Sequence, residues 1–89
     1  MDNRSVINAF ANGKAGRSSN NNLRTDGTRL VNYGTCIAQR LANGMIVFNA
    51  TKYSVTTSKI QTWTLCEVTP SITVTSVPLG AYDLTRYIK

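Results

Sequence analysis

The residue types best able to do chemistry cluster in one hydroxyl-rich run, Lys52-Tyr53-Ser54-Val55-Thr56-Thr57-Ser58-Lys59. Thr56-Thr57-Ser58 reads as a helix entry, with Ser58 as N-cap and Gln61 completing an S-x-x-Q capping box. Unsatisfied N–H groups at a helix start, together with the positive end of its dipole, form a ready phosphate site. Tyr53, Ser54, Thr56, Thr57, Ser58 and Lys59 are therefore candidates for holding an anion. Arg40 and Lys52 would extend the positive patch, and the loop carrying Lys14 and Arg17 would close on it. Trp63, Tyr33 and Tyr53 offer rings on which a base could stack. The plainer alternative is that the hydroxyls only cap the helix, worth about 1 kcal/mol, while the rings pack in the core.

Other chemistry is poorly supplied. The chain has no histidine, which removes His-based triads, a His general base and imidazole metal ligands. Its only acids are Asp2, Asp26, Glu67 and Asp83, and no two lie within one helical turn or strand alternation. Cys36 and Cys66 without histidine cannot complete a zinc site and read as small hydrophobes in a reducing compartment. The expectation is a protein that is not an enzyme and needs no cofactor or metal. Ten Lys and Arg against four Asp and Glu give a net charge of +6. That bias suits a nucleic acid, a nucleotide or an acidic protein face, although it is also an ordinary solubility charge. No apolar run approaches the ~18 residues of a membrane span, so no membrane partner is expected and the cytoplasm is the expected location.

These residues must be positioned by short elements. Cys36 to Leu41 and Met45 to Ala50 form the arms of a hairpin through Asn43-Gly44, the dipeptide favoured by a two-residue type I′ turn. That turn would set Leu41 opposite Ile46, Gln39 opposite Phe48 and Ile37 opposite Ala50. Arg29 to Tyr33 reads as a further strand, with Gly34 as a bulge or bend. Residues 3–12 suit a short helix with Val6, Ile7, Ala9 and Phe10 on one side, capped by Asp2 or Asn3 and ended at Gly13. Residues 13–22 read as a mobile, basic loop. Lys52 to Val55 would extend the second hairpin arm, with a helix from about 59 to 67. Ile72 and Val74 alternate as a strand between Pro70 and Pro78, and residues 81–88 form a last strand or an amphipathic turn.

Tyr33-Gly34-Thr35-x-Ile37-Ala38, followed by Thr51-Lys52-Tyr53-Ser54-x-Thr56-Thr57-Ser58-Lys59-x-Gln61, resembles a family of short uncharacterised proteins encoded by bacteriophages, plasmids and host genomes. The likeness spans residues 23–61. Members often carry histidine where this chain has Ile60, and Thr62-Trp63-Thr64-Leu65-Cys66 departs from their more basic, alanine-rich helix. The resemblance implies a mobile-element origin and no particular reaction.

The expected architecture is a single α+β domain: an N-terminal helix and loop over 1–22, then a core over 23–89. Its antiparallel sheet of about three to five strands carries one or two short helices. Unpaired edges and a small core favour a homo-oligomer. The expected function is a small, non-enzymatic, phage-type accessory protein that interferes with host defence by binding nucleic acid, a nucleotide or a host defence protein. The alternatives are a nucleic-acid-binding regulator and a virion-associated structural component.

Overall fold

The structure is a computed structural model and describes residues 1–88. Helix α1 (Asn3–Ala11) starts where Asp2 Oδ1 accepts the Ser5 N–H at 2.8 Å, so a carboxylate satisfies one of the orphan amides of the first turn. It ends at Asn12, ahead of Gly13 with φ 71°. Val6, Ile7, Ala9 and Phe10 form its buried side, as their spacing predicts.

One sheet then runs β1 (Ala15–Arg17), β2 (Leu23–Asp26), β3 (Arg29–Asn32), β4 (Thr35–Arg40), β5 (Ile46–Asn49) and β6 (Ile72–Val74), in that spatial order. The α+β class is as expected, but the sheet has six strands and is mixed. Helix α2 (Val55–Glu67) crosses from β5 to β6, and a strand–helix–strand crossover returns the chain parallel, as β5 and β6 are. Residues 13–22 are also more than a loop, since Ala15–Arg17 pairs with β2. Gly16 lets that strand pass under α1: a Cβ there would sit 3.2 Å from Ala9 Cβ and 3.0 Å from Met1 Sδ.

The central hairpin exists with a different register. Leu41 N–H donates to Met45 O at 2.8 Å, leaving Ala42-Asn43-Gly44 as a three-residue loop in which only Gly44 (φ 86°) takes a positive φ. Ala38 therefore faces Phe48 and Gln39 faces Val47, one residue off the expected pairing. Such a slip exchanges sheet faces. A bulge compensates: the β3–β4 register shifts between Leu30 and Val31, leaving Ile37 as the extra residue. Ile37 and Ala38 thus both belong to the α1/α2-side core with Leu23, Leu30, Ile46, Phe48 and Ile60. The two-residue turn with positive φ at both positions lies elsewhere, at Tyr33 (φ 50°) and Gly34 (φ 80°) between β3 and β4.

The opposite face is covered by the C-terminal stretch, whose Val77 and Leu84 pack on Cys36, Val47 and Val74. Gln39 fastens this cover, donating to Asp83 Oδ1 at 3.1 Å and accepting the Leu84 N–H at 2.8 Å. The tail ends in a 3-10 turn, Leu84–Tyr87. No helix of the described residues is long and apolar enough to cross a membrane.

Candidate anion-binding groove

Helix α2 starts four residues before the expected position. Ser54, not Ser58, is its N-cap, accepting the Thr57 N–H at 3.2 Å, so Lys52 to Ser54 lead into the helix and Ser58 and Lys59 sit exposed within it. The capping signal was offset because Ser54-x-x-Thr57 closes the same geometry as Ser58-x-x-Gln61 without a Glu or Gln at its end. Gln61 instead reaches back to the end of β5, donating to Asn49 O at 2.7 Å and Thr51 O at 2.9 Å.

This start of α2 opens on a groove of about 520 Å³. One wall is the β3–β4 turn with Asn32, Tyr33 and Thr35; the other is Lys52, Tyr53, Ser54 and Thr57, and Leu79 closes the rim. A polar network fixes the walls. Asn32 Nδ2 donates to Thr57 Oγ1 at 3.3 Å, joining β3 to α2. Buried Asn49 donates to the Tyr53 hydroxyl at 2.9 Å, and that hydroxyl donates to Val77 O at 2.6 Å. Thr35 Oγ1 accepts the Gly80 N–H at 2.8 Å and so holds the Leu79 loop. Among the described residues every buried side-chain N and O has a partner.

The groove combines three kinds of surface. Its charge is positive: Lys52 is exposed, and the first turn of α2 contains no acidic residue to offset the helix dipole. The amides of Val55 and Thr56, at the head of the helix, have no intrahelical acceptor. Its rim is apolar, with Tyr33 60% and Leu79 75% exposed. Tyr33 reaches that position through a left-handed backbone, which costs an aromatic residue on the order of 1 kcal/mol. Asn22 restrains it, donating from Nδ2 to the Tyr33 hydroxyl at 3.0 Å and accepting the Tyr33 N–H at 2.9 Å.

Of the residues expected to hold an anion, Lys52, Tyr53, Ser54 and Thr57 line this groove, and Thr56 lies in the same helical turn. Arg40 does not join them. Its guanidinium donates to Phe10 O at 3.1 Å, to Ala11 O at 3.3 Å and to Gly27 O, and lies 5.0 Å from the Phe10 ring centroid. It caps the C-terminus of α1, where a cation complements the helix dipole. Lys14 borders a depression beside α1, and Arg17 stands on the exposed side of β1. Trp63 packs half-buried on the core under the Arg4 guanidinium. Tyr33 is thus the exposed ring of the three stacking candidates. Asn32, Thr35 and Leu79 had no place among the expected site residues; the Tyr33-Gly34 dipeptide was the one signal that a turn stands there.

The Ser5 amide bond to Asp2, the Arg29 and Thr28 amide bonds to Asp26, and the Thr85 and Gln39 bonds to Asp83 each hold the carboxyl below its ordinary value. Burial pushes the Cys36 thiol up to about 12, away from the nucleophilic thiolate. Comparison of the chain with protein-family models, curated proteins and solved structures finds no match.

Proposed function

We propose that the protein acts by stoichiometric binding, and that the groove at the start of α2 takes a nucleotide. Its phosphates would sit against the Val55 and Thr56 amides and Lys52, and its base against Tyr33 and Leu79. The observation that carries this reading is the meeting at one groove of a helix start with no acidic residue in its first turn, a lysine and an exposed aromatic held at positive φ. A non-catalytic role is supported by the absence of histidine and by Asp2, Asp26 and Asp83 each serving as hydrogen-bond acceptors. The family resemblance supports use by a mobile element, with interference in host defence as the form that stoichiometric capture of a nucleotide, nucleic acid or defence protein would take. Homo-oligomerisation through sheet edges draws less support than the sequence suggests, since edge strands β1 and β6 have three residues each.

The test is a titration of the protein with mononucleotides, alongside mass spectrometry of small molecules released from the purified chain. Lys52→Glu is expected to weaken nucleotide binding at least tenfold with little change in melting temperature, because an exposed lysine contributes little to stability. Equal affinity of Lys52→Glu and the parent, or no nucleotide bound by either, overturns the reading.

A further inference from the structure

Register places a second concentration of charge on the sheet face turned away from α1. Gly16 faces Ala9 of α1, so Ala15 and Arg17 of β1 point the other way. On β2, Leu23 and Thr25 are buried while Arg24 and Asp26 alternate outward. Arg17 and Arg24 are direct cross-strand partners, and Arg24 is in turn opposite Val31, two residues from Arg29 on the same face. Two arginines opposed in this way repel one another, an arrangement that sheets ordinarily avoid. Folding gains nothing from it.

The surroundings explain what the pair is suited to. Arg24 borders two depressions, one of about 400 Å³ shared with Arg17 and one of about 110 Å³ shared with Arg29 and Tyr82. Arg29 is fixed in place: its Nε donates to Tyr82 O at 3.0 Å and its guanidinium lies 4.5 Å from the Tyr82 ring centroid. Asp26 is the acid bordering the smaller depression, and its Oδ1 already accepts the Thr28 and Arg29 amides at 2.8 and 3.0 Å. Three guanidinium groups thus line a shallow track across β1, β2 and β3, neighbouring strands being about 4.8 Å apart.

We propose that this face binds the phosphates of a single-stranded nucleic acid through Arg17, Arg24 and Arg29. Planar guanidinium forks match phosphate oxygens, and a strand with a charge on every residue relieves the Arg17–Arg24 repulsion along the whole track. An acidic protein segment, with charges interrupted by neutral residues, fits a continuous row less well. The surface stands apart from the nucleotide groove and does not rest on it.

Arg17→Glu tests the assignment without loss of folding, because it replaces a repulsive cross-strand pair by an attractive one. Arg4→Glu, on α1, makes the same change in net charge away from this face. The probe is a labelled oligothymidylate of about 12 nucleotides, followed by fluorescence anisotropy at several salt concentrations. Arg17→Glu is expected to bind at least tenfold more weakly than Arg4→Glu, with a melting temperature no lower than the parent's. Its salt slope should be shallower by about 1.4, the loss of two phosphate contacts on a single strand, because the introduced carboxylate removes the contact at position 17 and also engages Arg24 opposite it. Mononucleotide binding should survive Arg17→Glu and fall with Lys52→Glu, so that each site fails or stands by itself. Oligonucleotide binding by Arg17→Glu equal to that of Arg4→Glu overturns the proposal. So does binding of a peptide in which glutamates alternate with neutral residues, as tight as that of the oligonucleotide and equally sensitive to Arg17→Glu, which would assign the face to an acidic protein.

Discussion

Two serines four residues apart carry different loads. Ser54 Oγ accepts the Thr57 amide and donates to Thr57 Oγ1 at 3.1 Å, whereas Ser58 is exposed inside the helix. Ser54→Ala should therefore lower stability by about 1 kcal/mol and Ser58→Ala by a few tenths at most, read by chemical denaturation. Equal losses would return the cap to Ser58. Arg40 shows why single residues are the hardest to assign from sequence. Beside an Asn-Gly turn it looks like an available cation, but its acceptors Phe10 O and Ala11 O lie 30 and 29 residues away along the chain. No local pattern announces a helix end arriving from that distance.

Among the elements, α1 and the strand 72–74 were legible because their inward residues are apolar and correctly spaced, and the strand 29–32 because Leu30 and Val31 are strand formers set between two turns. The start of α2 was not. Its buried stripe is Thr57, Ile60, Gln61 and Thr64, a helical spacing in which Ile60 alone is aliphatic. Hydrogen bonds replace apolar contact along that stripe, including Thr64 Oγ1 to Ile60 O at 2.7 Å. The hairpin was legible as a hairpin, while its register was not, because Asn-Gly serves both two- and three-residue loops. The tight turn fell to Tyr33-Gly34, where asparagine is the favoured first residue. Tyr33→Asn should accordingly raise stability by about 0.5–1 kcal/mol in thermal or chemical unfolding while weakening nucleotide binding. A variant that is more stable and binds equally well would remove Tyr33 from the site.

At the scale of the whole molecule, stability should respond to acid and little else in the common pH range. Asp2, Asp26 and Asp83 all titrate below their ordinary values in the folded chain. The unfolded chain therefore takes up protons first, so the contribution of these groups is complete at neutral pH. It is lost as pH falls below about 4 and through the depressed folded values. The loss should be modest, since these carboxyls are solvent-screened. With no histidine, the melting temperature should be flat between about pH 5 and 7. A transition inside that window would require a titrating group that the fold does not provide.

The groove is the centre of this account, and backbone amides report on it without any substitution. Amide N–H correlation spectra recorded while a nucleoside triphosphate is added should show saturable shifts at Val55, Thr56 and Tyr33, lost in Lys52→Glu. Shifts confined to other parts of the chain, with Val55, Thr56 and Tyr33 unmoved at saturation, would contradict it.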